Sequence, residues 1–475
     1  MKESNGKDNR VIQFGGGNFL RAFCDWMFQR VNLHAEKKIS VTLIKPTPGG
    51  DYSNLKDQKG KFHVVVEGLV NGHAKSIIER IDVIDEIIHP YVDFNAFLNS
   101  AEDENVTMIV SNTTESGIVY SDEPYSPDHP SQEFPGKLCQ WLYHRFQKLG
   151  NTTESIVIMP TELIEQNGDT LKKCVVSYMR HWNLEESFHQ WLDKKCLFVN
   201  TLVDRIVPGY SDQAFHKVKT KKGISDKAVV VCEPYHSLVI ASEKNVSKFL
   251  PFGEADLNVE LVSDLSEYRQ KKVRILNGAH TSMVPVGLLN GISTVIEIMN
   301  TDWSFNFVKE CLLEEVVPTL DGDEEEARKY VEITLERFGN PYLQHKLSDI
   351  ALNSIAKIRF RLLPSLLSFY NRNGQLPSRI VFSIANWLCI YLFDGFGTFN
   401  PKDTSEVLTF FERQKEILDS NTDTLETVVE NVLRESEFWG TDLSKMEGLK
   451  GRLLEHIEEI QSPEFHIEKY VSELV

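Results

Sequence analysis

The chain has 475 residues, of which 41% are hydrophobic and 25% are charged, a composition typical of a folded globular protein. Its length is too great for one core and predicts two or three domains. The formal net charge of −18 argues against binding to nucleic acid or to anionic membranes, because both attract basic surfaces.

Residues 1–10 lack the apolar core of a signal peptide, and the apolar run at 381–393 is interrupted and too short to span a bilayer. The seven cysteines are dispersed without a CxxC pair, which predicts reduced thiols, mostly in cores. The histidine spacings match no zinc motif, so no dedicated metal site is expected. We therefore expect a cytoplasmic protein without metal, nucleic-acid or membrane partners.

Short apolar strands alternate with helices before about residue 260. A helix is predicted over 18–32, and residues 62–85 are typical of an antiparallel pair that turns at Asn71-Gly72. This alternation predicts a mostly parallel sheet with helices on both faces. The other predicted strands are residues 10–14, 39–45, 106–115 and 155–160.

The apolar residues beyond about residue 260 keep helical spacing, and no strong strand signal interrupts them. This change of pattern predicts a separate helical domain. We place the boundary so that the first domain spans residues 1–262 and the second spans 263–475.

Three consecutive glycines, Gly15 to Gly17, follow the first strand and precede the first helix. A glycine turn in this position lets a pyrophosphate approach the backbone and the free N–H groups of a helix N-terminus. The G-x-G-x-x-G fingerprint is incomplete, because Leu20 occupies the third glycine position. The residues alone therefore leave two interpretations open, a phosphate site and a plain bend.

Two basic residues near this turn also have alternative interpretations. Arg21 lies one turn into the helix, where it either contacts a phosphate or lies over the protein surface. Lys45 ends the second strand, where an acidic residue usually binds the adenosine ribose, so it could favour a 2′-phosphate and hence NADP. Because Lys45 could equally point to solvent, the choice of dinucleotide stays open on the residues alone.

Lys272, Asn277 and His280 share the spacing K-x4-N-x2-H in an otherwise apolar segment. On a regular helix, at about 100° per residue, Asn277 and His280 are one turn apart and Lys272 is within roughly 80° of His280. A lysine with a pKa lowered by burial can protonate a carbonyl oxygen that an asparagine amide polarises. Each residue alone would suit a structural role, and their convergence favours reduction of a carbonyl.

Six motifs occur in order along the chain and are together far more specific than any one of them. Through them the chain resembles the polyol-specific long-chain dehydrogenase family, which includes mannitol dehydrogenases and hexuronate reductases, from about residue 10 to the C-terminus. The motifs are FGGGNFLRAF, SNTTESG, PTELIEQNGD, TLVDRIVPGY, KKVRILNGAH and RFGNPYLQHKLSDIALNSIAKIRFRLLP.

This resemblance implies an α/β Rossmann-type N-terminal domain and an all-α C-terminal domain like that of 6-phosphogluconate dehydrogenase, with the active site in the cleft between them. It also implies metal-independent hydride transfer from NADH to a ketose-derived carbonyl, so NAD is the expected cofactor. The expected partner is a small hexuronate or aldonate substrate, and the oligomeric state stays open.

The same resemblance implies roles for individual residues. Lys272 is the expected general acid in reduction and base in oxidation, Asn277 polarises the carbonyl, and His280 orients the substrate or holds the lysine. Asp204 matches an acidic residue near the proton path. The glycine turn is expected to bind the pyrophosphate, and the segment after the strand at 106 is expected to line the nicotinamide side. The expected cofactor-binding residues are Phe14, Gly15, Gly16, Gly17, Asn18, Phe19, Arg21, Lys45, Ser111, Asn112 and Thr113.

Three positions depart from the mannitol dehydrogenase pattern. Leu163 replaces an asparagine that assists in polarising the substrate oxygen, so half of that arrangement is absent or rebuilt. Arg269 stands where an acidic residue is usual, and Asp349 replaces an arginine. These differences favour the hexuronate branch of the family.

A hexuronate carries a carboxylate, which needs a cationic partner. Lys357 matches a substrate-binding lysine of the family, and on a helix it shares a face with Arg361 while Arg359 points elsewhere. We expect Lys357, with Arg361 or with His345 and Lys346, to bind the carboxylate. The alternative is that the arginines pair with surface acids, which we favour for Arg359.

Two classes of function are compatible with the sequence. One is an NAD(H)-linked hexuronate reductase, with reduction of fructuronate or of fructose as alternatives at the level of the substrate. The other is a non-catalytic nucleotide sensor on the same scaffold. The complete set of Lys272, Asn277 and His280 favours the enzyme, because a sensor needs no proton donor beside a carbonyl.

Overall fold

The structure is a computed structural model, and the residues it describes are 9–34, 36, 38–113, 117–152, 154–242, 246–247, 250–393, 399–420 and 422–474. Contacts between Cα atoms divide the chain into two compact units. The first comprises Met1–Gly68 and Lys75–Leu265, and the second comprises Leu69–Ala74 and Ser266–Val475.

The predicted strands are present, and the one expected over 106–115 is shorter than expected. It ends at Ser111, and residues 114–115 of that prediction lie outside the described residues. In chain order the strands are β1 (Asn9–Phe14), β2 (Ile39–Ile44), β3 (Phe62–Val70), β4 (His73–Ile81), β5 (Ile84–Ile88), β6 (Val106–Ser111), β7 (Ile156–Pro160), β8 (Cys196–Phe198), β9 (Asn200–Asp204), β10 (Val230–Cys232), β11 (Ser237–Ala241) and β12 (Val259–Val262).

The described strands form three sheets. The largest is parallel throughout, with the order β5-β2-β1-β6-β7-β8, and the smaller ones have the orders β10-β3-β4 and β12-β11-β9. The strand order reverses between β1 and β6, which is the switch point of a doubly wound sheet. The parallel sheet and its helices confirm the α/β Rossmann-type fold expected for the first part of the chain.

Strand β1 lies in the middle of the large parallel sheet and is buried on both faces. Val11 belongs to the core on one face of the sheet, whereas Ile12 and Phe14 belong to the core on the other face. A strand buried on both faces reads as a continuous apolar run, as parallel strands do. Phe14 at its end pairs with Ile44 and with Ser111, so the segments that follow β1, β2 and β6 begin at one edge.

The hairpin formed by β3 and β4 has the predicted two-residue turn. Asn71 has φ 52° and Gly72 has φ +74°, and a type I′ turn requires a positive φ at both of its central positions.

The first unit also contains helices, of which Arg21–Asp25 is a π-helical segment. These helices are Asn18–Leu20, Arg21–Asp25, Trp26–His34, Ser53–Asp57, Phe94–Asn99, Ser100–Glu102, Phe134–Leu149, Asn167–His181, Glu186–Lys195, Asp212–Lys222 and Pro251–Glu254.

The described residues of the second unit from Ser266 onward form helices and turns without a strand, which confirms the helical prediction. Its α- and 3-10-helices are Ser266–Lys271, Gly278–Leu289, Val295–Asn300, Asp302–Glu310, Val317–Thr319, Glu324–Phe338, Leu347–Ile350, Ser354–Lys357, Leu363–Asn373, Ser378–Leu392, Ser405–Asp419, Leu425–Arg434, Ser436–Trp439, Leu443–Lys445, Leu449–Gln461 and Ile467–Ser472. Its π-helical segments are Lys272–Asn277, Cys311–Val316 and Ile358–Leu362.

The core of the second unit surrounds the helix Ser378–Leu392, in which every residue is buried. Two of its polar side chains bind the helix Gly278–Leu289: Trp387 Nε1 donates to the Thr281 carbonyl at 3.0 Å, and Ser383 Oγ donates to the Ser282 carbonyl at 3.0 Å. These bonds fix the helix that carries His280 against the core.

The seven cysteines all lie in the described part of the chain, and each is a buried free thiol, as their dispersed spacing predicts. Among the described residues, no helix has the length and apolar character needed to cross a membrane. Within the same residues, no group of three histidine, cysteine or acidic side chains is placed as metal ligands would be.

A buried carboxylate, Asp226, ties the loop before β10 to the start of β3. It accepts the His63 backbone N–H at 2.6 Å, lies 2.8 Å from His63 Nδ1, and also accepts from Gln58 Nε2 and the Ala228 N–H, each at 2.8 Å. Burial alone would raise its pKa, but the hydrogen bonds from His63 and Gln58 outweigh burial and the pKa is lowered. The loop carrying Ala228 therefore depends on this carboxylate.

Replacing Asp226 with Ala should lower the free energy of unfolding by about 3 kcal/mol, because several buried donors would lose their acceptor. Urea denaturation measures the loss. Asp57→Ala, at an exposed position next to Gln58, is the control and should change stability by less than about 0.5 kcal/mol. A loss of under about 1 kcal/mol for Asp226→Ala would contradict this account of the loop.

Candidate active site

The glycine turn connects β1 to the helix that begins at Asn18, and its three glycines differ in their surroundings. Gly15 has φ +115°, and a Cβ there would lie 3.1 Å from Leu20 Cδ1. Only glycine adopts this conformation without strain. Gly17 is exposed, and no described atom lies within 4 Å of a Cβ built on it. Gly17 is therefore the position where the backbone is open to a ligand.

Gly16, by contrast, is covered. A Cβ on Gly16 would lie 2.8 Å from Leu43 Cδ1 and 3.1 Å from Tyr52 Cζ, and the Gly16 N–H donates to the Tyr52 hydroxyl at 2.9 Å. Close packing by Tyr52 and Leu43 thus accounts for the absence of a side chain at this position. The motif did not single out Tyr52, which lies 36 residues away in sequence.

Arg21 is buried beneath the turn, so the interpretation that it lies over the surface is wrong. Its Nε donates to the Gly16 carbonyl at 3.1 Å, its Nη2 to Asn18 Oδ1 at 2.7 Å, and its Nη1 to the Ala228 carbonyl. Burial lowers the pKa of Arg21 to about 10, with Asp25 opposing the shift, so the guanidinium stays charged at neutral pH. Its observed contacts brace the turn, and a phosphate contact from it stays a prediction.

Two further buried polar groups lie behind the turn. Gln13 Nε2 donates to the Gly15 carbonyl at 3.1 Å and to Asp25 Oδ2 at 3.3 Å. Asp25 is fully buried, and desolvation raises its pKa to about 7 in spite of the Gln13 hydrogen bond. The turn is therefore supported by side chains from β1 and from the π-helical segment Arg21–Asp25.

Lys45 is only 5% exposed, so the interpretation that it points to solvent is wrong. Its Nζ donates to Thr47 Oγ1 at 2.8 Å and lies 5.1 Å from the centroid of the Tyr52 ring. Burial lowers the pKa of this lysine, and Asp51 opposes the shift. Lys45 and Tyr52 together occupy the edge where β2 ends.

The segment after β6 adjoins the glycine turn. The Asn112 carbonyl would be 3.4 Å from a Cβ on Gly15, and Asn112 Nδ2 donates to the Thr161 carbonyl at 2.9 Å. Ser111 is buried, and Thr113 lies in the loop that follows. The structure therefore brings the predicted pyrophosphate and nicotinamide residues of the first unit to one edge of the sheet.

Glu162 holds this segment and was missed, because only its neighbour Leu163 departs from the family pattern in a way that suggests a role. Glu162 Oε1 accepts two hydrogen bonds from Thr113, one from its N–H at 2.9 Å and one from its hydroxyl Oγ1 at 3.0 Å. Glu162 Oε2 accepts one from Ser111 Oγ at 3.1 Å. Burial raises the pKa of Glu162, while the bonds from Thr113 oppose the shift. Leu163 itself is 58% exposed.

The remaining predicted residues of the first unit are Asp204, Phe14 and Phe19. Asp204 is buried at the end of β9, where it pairs with Ser237 in the sheet. Phe14 lies in the core, and the Phe19 ring stacks on Phe23 with centroids 4.9 Å apart. The proposed role of Asp204 near a proton path stays a prediction.

In the second unit, the segment Lys272–Asn277 is π-helical, so the angles expected from a regular helix are wrong. A π-helical turn is wider than an α-helical turn, and such segments occur often at functional sites. Lys272 and Asn277 are half-buried, and His280 lies on the α-helical turn that follows. The neighbouring Lys271 forms ion pairs with Glu326 at 3.0 Å and with Glu267 at 3.4 Å.

His280 is buried, and among the described residues its Nε2 has no hydrogen-bond partner. Its ring lies 4.3 Å from the Phe338 ring and 5.2 Å from the His345 ring, centroid to centroid. Burial lowers the pKa of His280 well below its ordinary value, and the charges of His345 and Arg361 add to this effect. His280 is therefore a neutral imidazole at physiological pH.

His280 is surrounded by a basic set, and each member of this set disfavours protonation of His280. The members are His345, Arg361, Arg337 and Lys357. Lys357 Nζ donates to the Ile350 carbonyl at 2.7 Å, and Arg361 Nη1 lies 3.4 Å from Thr281 Oγ1. Burial and Arg361 lower the pKa of Lys357. Burial likewise lowers the pKa of His345, opposed by Asp349. The structure thus brings the predicted carboxylate-binding residues of this unit together around His280.

Arg359 lies apart from this set. Its Nη1 donates to the Glu437 carbonyl at 3.0 Å, and its guanidinium lies 5.2 Å from the Phe360 ring. The partner is a backbone carbonyl and not the acidic side chain that we expected. Arg337 was missed: it is the first residue of the last motif, but nothing in the sequence assigns it a role. Lys346 is exposed.

Two family models match the chain. Residues 9–254 match the mannitol dehydrogenase Rossmann domain, and residues 264–461 match the mannitol dehydrogenase C-terminal domain.

Altronate oxidoreductases from two bacteria are similar over nearly the whole chain. The altronate oxidoreductase of Bacillus subtilis (strain 168) is 38% identical over 455 residues, which cover 95% of this chain and 93% of the relative. The altronate oxidoreductase of Yersinia pestis is 35% identical over 457 residues, which cover 96% of this chain and 95% of the relative.

Solved structures with the same fold are more distant in sequence. The Pseudomonas fluorescens mannitol 2-dehydrogenase, in a ternary complex with NAD and D-mannitol, has a TM-score of 0.69 at 18% identity and covers 98% of this chain and 94% of its own. A substrate-free D-sorbitol dehydrogenase has a TM-score of 0.77 at 18% identity, with coverage of 98% and 96%. The domain matches and the relatives show that this chain belongs to the mannitol dehydrogenase family, a family of oxidoreductases that act on CH–OH groups.

Proposed function

We propose that this protein is an NAD(H)-dependent tagaturonate reductase, which interconverts D-tagaturonate and D-altronate in hexuronate catabolism. The observation that carries the proposal is the similarity to altronate oxidoreductases, at 35–38% identity over at least 95% of this chain for the relatives described above. The basic set around His280 supports it, because a carboxylate distinguishes these substrates from neutral polyols.

The residues of the glycine turn suit a dinucleotide. Gly17 precedes a helix that has no side-chain cap, is exposed, and has open space in front of it in the described chain. Uncapped N–H groups at the start of a helix are suited to a pyrophosphate. Bound NADH would supply the hydride for the carbonyl carbon.

The second unit supplies the groups that act on the substrate oxygen in this proposal. Lys272 donates a proton to the oxygen when the carbonyl is reduced and removes a proton from the hydroxyl when altronate is oxidised. Asn277 donates its amide N–H to the same oxygen and stabilises the negative charge that develops there. Both side chains are half-buried, which keeps them accessible to a substrate while limiting water around them.

His280 orients the substrate as a neutral ring. Because burial and neighbouring cations keep it uncharged, its unpartnered Nε2 is suited to a hydrogen bond with a substrate hydroxyl. Lys357 and Arg361, with His345, bind the carboxylate, and a carboxylate placed among them would offset their mutual repulsion. Arg337 adds positive charge to the same place.

Purified protein is expected to oxidise NADH on addition of tagaturonate, measured by the loss of NADH absorbance. Lys272→Ala should reduce kcat by about 100-fold or more, because general acid catalysis contributes that much, while the Kd for NADH stays unchanged. Lys309→Ala, an exposed lysine of the same unit, is the control and should keep full activity.

Parallel assays with fructuronate, fructose and NADPH test the alternatives. Turnover of fructuronate or fructose but not tagaturonate would contradict the proposed substrate, and a preference for NADPH would contradict the proposed cofactor. Nucleotide binding without turnover of any substrate would instead support a sensor.

Lys357→Met should raise the KM for tagaturonate by about 10-fold or more, because a charge-assisted hydrogen bond to the carboxylate would be lost. The NADH Kd should not change. Arg359→Met removes a nearby cation that faces elsewhere and is the matched control. An unchanged KM for Lys357→Met would remove Lys357 from the carboxylate site.

A further inference from the structure

Tyr52 covers the glycine turn from a separate segment of the first unit. It ends the loop after β2, in a left-handed conformation with φ 56°, and immediately precedes the helix Ser53–Asp57. Its hydroxyl oxygen accepts the Gly16 N–H at 2.9 Å, and its ring fills the space where a Gly16 side chain would be. The hydroxyl is therefore hydrogen-bonded to the residue that directly precedes Gly17, the open position of the turn.

The hydrogen-bonding capacity of this hydroxyl is only partly used. A phenol group has one proton to donate and two lone pairs to accept with. The Gly16 N–H uses one lone pair, and among the described residues the Tyr52 proton has no acceptor. Burial raises the pKa of Tyr52, so the hydroxyl keeps this proton at neutral pH.

Two positive charges lie near Tyr52. The Lys45 ammonium is 5.1 Å from the ring centroid, and the Arg21 guanidinium, bonded to the Gly16 carbonyl, favours the ionised form of the phenol. Both cations are buried, so their field is screened by water less than that of surface charges. The unused donor therefore belongs to a residue with two buried cations nearby, and these cations favour an anion.

We propose that the Tyr52 hydroxyl is a cofactor-binding group, which donates a hydrogen bond to a pyrophosphate oxygen of the dinucleotide. The inference rests on the proposed function, since it needs a dinucleotide in the glycine turn. The hydroxyl takes one hydrogen bond from Gly16 and gives one to the phosphate, so it extends the donor set of an incomplete glycine fingerprint. Gly16 then serves to let the tyrosine approach, and Gly17 serves to let the phosphate approach.

A competing arrangement predicts the opposite change in affinity. If the hydroxyl only occupies the Gly16 N–H until a phosphate displaces it, its removal frees that N–H and tightens binding. The sign of the change in Kd on removing the hydroxyl therefore decides between the two arrangements.

The test compares wild type with Tyr52→Phe, using NADH titrations followed by fluorescence. ADP-ribose, which contains the pyrophosphate, and adenosine, which does not, are measured by displacement of NADH. Tyr143→Phe is the matched control. Tyr143 lies on the helix Phe134–Leu149 of the same unit, and the change removes a hydroxyl that donates to Glu185. Thermal melting verifies that both variants fold, with shifts of about 3 °C or less.

We expect Tyr52→Phe to raise the Kd about 10-fold for NADH and for ADP-ribose, with no change for adenosine and none for Tyr143→Phe. An unchanged or lower Kd for NADH would overturn the inference. An equal loss for all three ligands would also overturn it, because the effect would then not depend on the pyrophosphate. Failure of the wild type to bind any of them would instead refute the proposed function, and this inference with it.

Discussion

The buried guanidinium of Arg21 holds the candidate cofactor site of the first unit in place. It donates hydrogen bonds to the Gly16 carbonyl, the Asn18 side chain and the Ala228 carbonyl. One guanidinium therefore connects segments that are 207 residues apart in sequence. A buried cation without acceptors would be costly, and these hydrogen bonds offset the cost of its desolvation. Asp226 fixes the Ala228 end through the amide of that residue. The backbone of the turn is thereby fixed, while Gly17 stays open to a ligand.

The second unit concentrates positive charge around a histidine that remains neutral. Burial, His345 and Arg361 disfavour protonation of His280, so this ring can accept a hydrogen bond while the surrounding cations attract an anion. The whole chain carries a net charge of −18, so an anionic substrate has to be attracted by such a local set rather than by the overall field. A sugar acid suits this arrangement better than a neutral polyol does.

The sequence predicts the elements that depend on local pattern. Apolar runs mark β1 and β2, the Asn71-Gly72 pair marks the hairpin, and the three glycines mark the turn. The sequence does not predict the π-helical segment at Lys272–Asn277, because the spacing of apolar residues does not distinguish a wider π-helical turn from an α-helical turn. The contacts of Tyr52 and Glu162 could not be predicted for another reason. Each residue lies 36 to 51 residues from its hydrogen-bond partners in sequence, and only the folded sheet brings those segments together. The roles of Lys272 and Asn277 rest on family resemblance and remain proposals.

The most direct test of the proposed reaction follows the hydrogen itself. The protein is incubated with tagaturonate and NADH that carries deuterium at both C4 positions, and the sugar acid is analysed by mass spectrometry. The account predicts altronate that is heavier by one deuterium, bound to the former carbonyl carbon. Altronate without deuterium, or no altronate from a folded protein that binds NADH, would contradict it.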